Sequence, residues 1–462
     1  MAQTRRNFLK NSLLTASAVA GGTTVGFLGA RAQAQPDLLL KPALTEYSFL
    51  PGILTRKLFS YNSTGPAPVL RARQGQPFHV RLENALPEET TIHWHGLRLP
   101  NAMDGVPFLT QPYVNRHESF DYIFTPPDAG TFWYHPHCNT LEQMSYGLNG
   151  VLVVEEETDP GFDQDIALNL RDWRLGSDGQ FIKLYQARKS ARSGTFGTVK
   201  TANWQENPHY EVSSGGLIRL RIVNSDVTRI FKLGISGAQA KIIALDGYPT
   251  PGQPELDQQS VGPGQRMDLA ILLPGEEDRE VTLINYSSST PWTVSTLKTR
   301  GQSLKRDLGD LRPLPANPVP LPDLASAEHI PFEFTATAES APKSGFCGSL
   351  GFSFWAINRQ PWPGVSPDPM APMAELKLGK SYIFSFINRT PHSHPIHLHG
   401  LSFTLLKSNK RPLAPLITDT ALLLPDEQID VAFVADNPGD WLLHCHIIEH
   451  QKTGMSSFIR IT

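Results

Sequence analysis

The sequence predicts an all-β protein built from three related domains. Its 462 residues include 39 prolines and 36 glycines that recur at short intervals. This spacing is typical of short strands joined by turns and not of long helices. A second observation is an internal repeat that occurs three times along the chain. Such repetition indicates related structural units, each with its own set of strands.

The repeated unit is a strand that ends at an asparagine, a polar turn and a second strand. It is found at residues 80–97 (VRLENALPEETTIHWHGL), 220–237 (LRIVNSDVTRIFKLGISG) and 384–401 (FSFINRTPHSHPIHLHGL). A later part of the unit also recurs, since PPDAGTFWYHPHC at 126–138 parallels DNPGDWLLHCHI at 436–447. Alternating or apolar runs bounded by polar turns are strand signals.

Composition marks the boundaries between the units. Residues 155–164 (EEETDPGFDQ) form an acidic, turn-rich link, and residues 312–324 (RPLPANPVPLPDL) form a proline-rich connector. Proline-rich stretches favour extended conformations. We therefore expect domains at residues 40–155, 165–305 and 325–462.

Residues 1–34 have the pattern of an export signal. A charged start, a mildly apolar middle and a final Ala32-Gln33-Ala34 are typical of a cleaved signal peptide. Arg5-Arg6 resembles the start of a twin-arginine signal. We expect cleavage before Gln35 after export to the periplasm by the twin-arginine machinery. An uncleaved anchor is the alternative, but a spanning helix needs about 20 strongly apolar residues, and residues 11–30 are only mildly apolar.

The remaining composition limits the classes of partner. The formal net charge is -3, so nothing indicates a nucleic-acid partner or a polybasic membrane surface. No later stretch predicts a membrane span, and we expect no stable membrane anchor. No residue pattern fixes the oligomeric state, and a monomer is our expectation.

Eight of the fifteen histidines form four His-x-His pairs, apart from His392, which lies two residues before His394. Residues i and i+2 of a strand point to one face, so each pair directs two imidazoles the same way. One pair alone would be attributed to chance, but four identical spacings predict a metal site. Two pairs lie in the first domain and two in the third, which predicts that they converge where these domains meet, with the middle domain as a spacer. The pairs are His93 and His95, His135 and His137, His397 and His399, and His444 and His446.

The last pair encloses Cys445, one of only three cysteines. His450 and Met455 follow it, and His394 precedes the third pair. Two histidines, one cysteine and a weak axial methionine form the blue-copper ligand set. Core packing is the alternative role for Met455. Imidazole binds zinc, copper, iron or nickel, and a zinc site takes about four ligands, so eight histidines require several metal ions.

HWHG, HPHC, HPIHLHG and HCHIIEHQKTGM, in this order, resemble the four copper motifs of the multicopper oxidases. The resemblance is to the three-domain, laccase-like group and covers essentially all of the mature chain. It implies three cupredoxin-like domains of β-sandwich or barrel form and four copper ions. It implies a type 1 copper at His394, Cys445, His450 and Met455, a type 2 copper at His93 and His397, and a type 3 pair at His95, His135, His137, His399, His444 and His446.

The resemblance also implies the reaction. Phenolic or aromatic donors would lose single electrons near His450, a ligand expected beside a surface pocket, and O2 would be reduced to water. Neighbouring strand residues face opposite ways, so Cys445 would link the type 1 copper to the histidine cluster behind it. Glu449 and Asp104 match carboxylates that supply protons in the family. Surface capping by Glu449 and turn formation by Asp104 are the alternatives.

Several alternatives stay open at this stage. Cu(I), Fe(II) or Mn(II) could be the donor, although Met370 and Met373 are the only clustered methionines. A copper-free export-pathway scaffold or a copper storage protein is disfavoured by the complete ligand set and by the absence of a methionine- or histidine-rich surface. A two-domain copper nitrite reductase is disfavoured by the four His-x-His pairs. Cys138 and Cys347 form either a disulfide, which is allowed outside the cytoplasm, or two buried thiols.

Overall fold

Strands account for most of the regular structure, as predicted. A computed structural model describes residues 36–62, 64–336, 353–362 and 371–462. The predicted signal at 1–34 lies outside the described residues. Residues from Pro36 onwards form one compact unit. Within the described part of the chain, no helix is both long and apolar enough to cross a bilayer.

The first segment, residues 38–155, contains three sheets. Their strand orders are β1-β5-β7, β2-β3 and β4-β9-β8-β6. A short helix, α1 (Thr140–Ser145), precedes the last strand. The strands are β1 (Leu38–Leu40), β2 (Pro42–Leu50), β3 (Ile53–Tyr61), β4 (Leu70–Arg73), β5 (Phe78–Glu83), β6 (His93–His95), β7 (Ser119–Phe124), β8 (Gly130–His135) and β9 (Gly150–Glu155).

The middle segment, residues 164–300, contains two sheets. Their orders are β11-β10-β13-β18-β15-β16 and β12-β20-β19-β14-β17. Helix α2 (Ala187–Ser190) lies in a long connection between its first two strands. The strands are β10 (Gln164–Trp173), β11 (Val199–Ala202), β12 (His209–Ser213), β13 (Leu217–Asn224), β14 (Phe231–Ser236), β15 (Gln239–Leu245), β16 (Tyr248–Pro249), β17 (Gln259–Val261), β18 (Arg266–Leu272), β19 (Glu280–Asn285) and β20 (Trp292–Arg300).

The third segment, residues 328–462, repeats this arrangement. Its sheets have the orders β22-β21-β24-β29-β26-β27 and β23-β31-β30-β25-β28. Helix α3 (Ile448–Lys452) follows the strand that carries Cys445. The strands are β21 (Glu328–Ala336), β22 (Trp355–Ile357), β23 (Ala374–Leu376), β24 (Ser381–Asn388), β25 (His394–Leu398), β26 (Phe403–Ser408), β27 (Ile417–Thr418), β28 (Thr420–Leu423), β29 (Gln428–Val434), β30 (Gly439–Cys445) and β31 (Ser456–Ile461).

The predicted repeat is visible in the hydrogen bonds of its three asparagines. The Asn84 side chain donates to the carbonyls of Glu88 and Val114. Its side-chain oxygen accepts from the backbone N–H two residues later. Asn224 and Asn388 make the same three kinds of contact in the other two segments. A side chain that satisfies several backbone groups of a turn fixes its geometry.

Each segment has its own apolar core. In β5 the buried residues Phe78, Val80 and Leu82 alternate with half-buried polar ones, which is the pattern of a strand with one face on a core. Each fully buried side chain of this kind contributes roughly 1.5–3 kcal/mol. A smaller apolar cluster joins the segments, because Trp133, Val223 and Ile448 pack together within it. The domain ranges 40–155, 165–305 and 325–462 stay predictions.

Candidate metal centre

The eight paired histidines lie together between the first and third segments. Strand pairing brings them into register, since His93 lies opposite His135 in β6 and β8. In the third segment, His397 lies opposite His444 in β25 and β30. Each of the eight side chains is at most 2% exposed. The two pairs of strands therefore place all eight imidazoles in one enclosed volume.

The imidazoles form three sets whose nitrogens lie within 4.8 Å of one another. The ring centroids of His95 and His397 are 3.7 Å apart, and those of His93 and His399 are 3.8 Å apart. Each set combines residues of the first and third segments, so neither segment alone completes one. The sets are His93, His95 and His397; His95, His135 and His446; and His137, His399 and His444.

Several ring nitrogens in this cluster have no hydrogen-bond partner and are suited to bind metal ions. His93 Nδ1 donates to the Asp104 carbonyl at 2.8 Å, which leaves Nε2 without a hydrogen-bond partner. Buried polar atoms without partners are costly, and imidazole nitrogen is a ligand for copper. Among the cluster histidines, the buried ring nitrogens without a hydrogen-bond partner are His93 Nε2, His95 Nδ1, His135 Nε2, His137 Nε2, His397 Nε2, and both ring nitrogens of His446.

The protonation states also suit ligation. Burial, followed by repulsion from neighbouring imidazoles, lowers the pKa of His135, His137 and His446 well below the ordinary value. Desolvation disfavours the charged form of a histidine. These imidazoles are therefore neutral at physiological pH, which is the form that binds metal.

A second group of buried ligand atoms lies on the other side of Cys445. Its Sγ is 3.6 Å from the Nδ1 atoms of both His394 and His450. The two Nδ1 atoms are 3.0 Å apart. Cys445 packs in the apolar core of the third segment, whereas His444 and His446 belong to the cluster. Because Cys445 lies between His444 and His446 in the chain, one peptide bond on either side of it connects the two groups of ligand atoms.

The environment of Cys445 is apolar. Burial raises the pKa of its thiol, while a hydrogen bond from the Ile447 backbone N–H (3.4 Å) opposes the shift. Burial also lowers the pKa of His450 to about 3. Met455 is fully buried in the same core, and its carbonyl accepts from the Cys445 N–H at 3.0 Å. Metal binding here requires the thiol to lose its proton.

The comparisons with known proteins agree with this geometry. Family models described as multicopper oxidase match residues 45–159 and 341–461. A multicopper oxidase structure from Pseudomonas thermotolerans is 38% identical, with a TM-score of 0.82. The match covers 93% of this chain and 100% of that one. The chain belongs to the multicopper oxidase family.

Two curated relatives extend the match. The multicopper oxidase MmcO of Mycobacterium tuberculosis is 28% identical over 449 residues, which covers 86% of this chain and 82% of the relative. Laccase-2 of Fomitopsis schrenkii is 27% identical over 459 residues, which covers 86% and 84%. The chain is therefore an oxidoreductase of three-domain cupredoxin fold that contains copper, receives electrons from small donors and uses O2 as acceptor.

In this multicopper oxidase Asp104 lies at the cluster, where the sequence predicted a carboxylate. Its Oδ2 is 2.9 Å from His399 Nδ1, and its Oδ1 is 3.2 Å from His93 Nδ1. The following residue, Gly105, has φ +83, and a Cβ there would lie 1.9 Å from the Ile92 carbonyl. The turn therefore needs glycine to hold Asp104 against the two imidazoles.

Asp419 is a second cluster carboxylate that the sequence analysis missed. Its Oδ1 lies 3.2 Å from His95 Nε2 and 3.3 Å from His397 Nδ1. Its Oδ2 accepts from Arg266 Nη2 at 2.6 Å. Asp104 follows its HxHG motif by a few residues and Asp419 by many more. Only a comparison of the two HxHG motifs could have found it, and the unequal spacing conceals the match.

The middle segment contributes directly to the multicopper oxidase cluster, beyond the predicted role of a spacer. The fully buried Arg266 comes from β18. Gly264, just before it, has φ +88, and a Cβ there would lie 2.9 Å from His446 and 3.0 Å from His95. The backbone of the middle segment thus forms one wall of the cluster, where only glycine fits.

His450 was expected beside a surface pocket, but it is fully buried. Its Nε2 donates to the Arg192 carbonyl at 2.5 Å. The ring of Trp355 lies over it, with centroids 4.5 Å apart. Trp355 belongs to the third segment, whereas Arg192 lies in a loop of the middle segment at positions 186–197, which we call the covering loop. The role of His450 as the entry point for electrons beside a surface pocket stays a prediction.

Glu449 holds the covering loop in place. Its Oε1 accepts from Arg174 Nη2 at 2.8 Å and from the Thr195 N–H at 2.7 Å. Its Oε2 accepts from the hydroxyls of Ser190 and Thr195. These contacts are to the middle segment and not to the cluster histidines. They support a positioning role, and the predicted role as a proton donor stays a prediction.

Of the other cysteines and methionines singled out in the sequence, Cys138 and Met373 lie within the described residues. Cys138 is buried in the first segment, whereas Cys347 lies outside the described residues, so the pairing stays open. Met370 also lies outside them, and Met373 packs partly buried against the core of the third segment.

Proposed function

We propose that this multicopper oxidase is a laccase-type enzyme, which oxidises phenolic and other aromatic donors by one electron and reduces O2 to water. The observation that carries the proposal is the position of Cys445. It is covalently flanked by two cluster histidines and lies 3.6 Å from His394 and His450. The similarity to a fungal laccase over most of both chains supports the same reaction class.

The proposal includes four coppers and their ligands. His394, Cys445, His450 and Met455 hold the type 1 copper, and His93 and His397 hold the type 2 copper. The type 3 pair divides into two triads, because the nitrogens of each triad lie close together. When bound, copper supplies one-electron redox chemistry at both groups of ligands. The triads are His95, His135 and His446, and His137, His399 and His444.

Water formation also needs protons at the cluster. Asp104 is our candidate proton donor, since its carboxylate contacts two cluster imidazoles and a general acid acts within hydrogen-bond reach or through one water. Glu449 remains the second predicted donor, but its contacts with Arg174 and Thr195 favour its role in holding the covering loop.

We also propose a cellular setting and an organisation. The enzyme would be exported to the periplasm by the twin-arginine machinery and act there as a monomer with three domains at residues 40–155, 165–305 and 325–462. N-terminal sequencing of the mature protein tests the export proposal. A mature chain that still begins at Met1 would contradict it.

One experiment tests the reaction class. The copper-loaded protein is given a phenol, Cu(I), Fe(II) or Mn(II) while O2 uptake and copper content are measured. We expect O2 uptake with the phenol and about four coppers per chain, as the type 1, type 2 and type 3 ligand sets imply. Turnover only on metal ions would make the protein a metallo-oxidase. No blue absorption and no turnover would make it a copper-free scaffold.

Cys445→Ser tests the central residue. The variant should lose the blue absorption and donor oxidation, because the thiolate ligand is gone, yet the eight cluster histidines should still bind copper. Cys138→Ser is the matched control and is expected to stay blue and active. A Cys445→Ser protein that remains blue would refute the ligand assignment.

A further inference from the structure

The covering loop and Trp355 close the face of His450 on which an electron donor would otherwise bind. The covering loop places the Arg192 carbonyl on His450 Nε2, and the imidazole is fully buried. A donor therefore has no access to the imidazole edge, so a different surface has to receive the donor molecule.

A cavity of about 250 Å³ lies directly beside this closed face. Its walls come from the covering loop, the turn after β13 and the residue before His394. It is smaller than the roughly 300–1,000 Å³ of pockets for drug-sized ligands, so it suits one aromatic ring. The lining residues used here are Ser193, Phe196, Thr228, Arg229, Ser393 and Ile447.

The cavity is close to the proposed type 1 ligands by two routes. Ile447 lines it and donates its backbone N–H to Cys445 Sγ at 3.4 Å. Ser193 lines it as well and directly follows Arg192, whose carbonyl accepts from His450. A ring in this cavity would therefore lie against Ile447, which contacts Cys445, and against Ser193, the neighbour of the residue that contacts His450.

The chemistry of the walls favours an aromatic molecule with an acid group. Phe196 supplies a ring face, and Arg229 lies 4.9 Å from that ring. Hydroxyls come from Ser193, Thr228 and Ser393. None of the described residues that line it is acidic. Arg229 also pairs with the buried Asp172 at 2.6 Å, so the additional positive charge has to come from nearby residues.

Further positive charge lies on the covering loop, where Arg192 directly precedes the lining residue Ser193. Arg188, Lys189 and Arg192 are exposed on it. No Asp or Glu occurs between Asp178 and Glu206. A surface of one sign attracts ligands of the opposite sign and repels cations. This surface therefore disfavours metal cations as donors.

We propose that this cavity is the donor site and that it selects single-ring phenols that carry a carboxylate. The inference rests on the proposed laccase-type function and names its substrate class. Each phenol loses one electron to the enzyme and its hydroxyl proton to water, and becomes a phenoxyl radical. Four such oxidations supply the four electrons with which O2 and four protons give two waters.

Binding is tested apart from turnover. Trimethoxybenzoate has the ring and the carboxylate but no oxidisable hydroxyl, and trimethoxybenzene is its neutral counterpart. Calorimetry on the copper-loaded enzyme should give the anion an affinity roughly threefold to fivefold higher, because the exposed positive charges of the covering loop attract it and exposed ion pairs are weak. Ser193→Trp fills the cavity and should abolish binding while the blue absorption persists. Equal affinities, or binding unaffected by Ser193→Trp, would overturn the proposal.

Kinetics test the selection by charge. Syringate and dimethoxyphenol share a phenol and differ in the carboxylate. Arg192→Glu keeps the backbone carbonyl and should raise the KM of syringate roughly fivefold or more, with weaker effects at high salt because exposed charges are screened. It should change neither the kcat of syringate nor the KM of dimethoxyphenol. Lys41→Glu, a charge reversal on the first segment, is the control and should change neither substrate.

The outcomes separate the two proposals. If no phenol supports O2 uptake, the laccase-type function and the donor site both fall, whatever calorimetry reports. If both phenols are oxidised but Arg192→Glu affects them equally, the function stands and the donor-site proposal is wrong.

Discussion

Asp104 and Asp419 flank the histidine cluster in equivalent ways. Asp104 contacts His93 of the first segment and His399 of the third. Asp419 contacts His95 of the first segment and His397 of the third. Each carboxylate therefore connects one imidazole from either side. They differ in what lies behind them, since Asp419 alone is paired with a buried arginine.

Asp104→Asn should impair oxygen reduction more than donor binding. The amide keeps the shape but loses the charge that orients His93 and His399, and partners of this kind typically contribute about 10–100-fold to metal affinity or activity. We expect O2 uptake to fall by a factor in that range while the blue absorption stays. Unchanged O2 uptake would exclude Asp104 from both orientation and proton supply.

Asp419→Ala should destabilise the protein. It removes the closest carboxylate partner of Arg266, which is fully buried; the Asp246 carboxylate at 3.4 Å and backbone carbonyls such as that of Thr131 remain. Breaking a buried ion pair from one side costs about 3–5 kcal/mol, which urea unfolding of the copper-free protein can measure.

The control for that measurement is Asp440→Ala. Asp440 forms an equally close pair with Arg460, but both side chains are partly exposed. Exposed pairs contribute about 1 kcal/mol or less. Equal losses in the two variants would show that the burial of Arg266 is not what makes Asp419 important.

Gly264→Ala should displace copper from the cluster. The new methyl group would lie 2.9 Å from His446 and 3.0 Å from His95, closer than carbon atoms pack. Gly301→Ala is a matched control, because Gly301 has φ +74 and nothing within 4 Å of its Cβ position. Copper analysis should show loss only in Gly264→Ala, with the blue absorption retained in both. Equal copper contents in the two variants would mean that the backbone around residue 264 shifts to accommodate the methyl group without displacing the histidines.

The raised pKa of Asp172 predicts that the stability of the protein depends on pH. Burial, and then the neighbouring Asp226, raise its pKa to about 7, compared with about 4 in an unfolded chain. The folded state therefore binds more protons between these values, so the contribution of Asp172 to stability falls as pH rises from about 4 to about 7.

Asp172→Asn removes this titration. Relative to the unmodified protein, the variant should gain thermal stability as pH rises from about 5 to about 8, although it weakens the pair with Arg229. Melting temperatures at both pH values measure the change. Asp178→Asn, at an exposed position, serves as the control. A difference between Asp172→Asn and the unmodified protein that is the same at both pH values would contradict the prediction.

The His-x-His pairs could be read from the sequence because each is local. A two-residue spacing on a strand fixes which way its imidazoles face, so convergence of the pairs follows once two domains meet. The division into triads could not be read, because each triad combines histidines from a sheet of the first segment with histidines from a sheet of the third, such as His95 and His135 with His446. How these two sheets lie against each other is not encoded in the local spacing.

Contacts between segments were the least predictable feature. Gly264 and Arg266 reach the cluster from a segment without a His-x-His pair. The burial of His450 depends on the covering loop, which precedes it by more than two hundred residues. Nothing in the local sequence around His450 or Glu449 encodes these neighbours.

The covering loop limits when copper can enter the proposed type 1 site. The Arg192 carbonyl covers His450, and Glu449 holds the loop in this position through its contacts with Arg174 and Thr195. An ion from solution can reach this site only while the loop is transiently detached. The rate at which the folded copper-free protein turns blue should then become independent of copper concentration, and Glu449→Gln should speed it. A rate that stays proportional to copper would mean that the ion has another path, and that the enzyme need not open to mature.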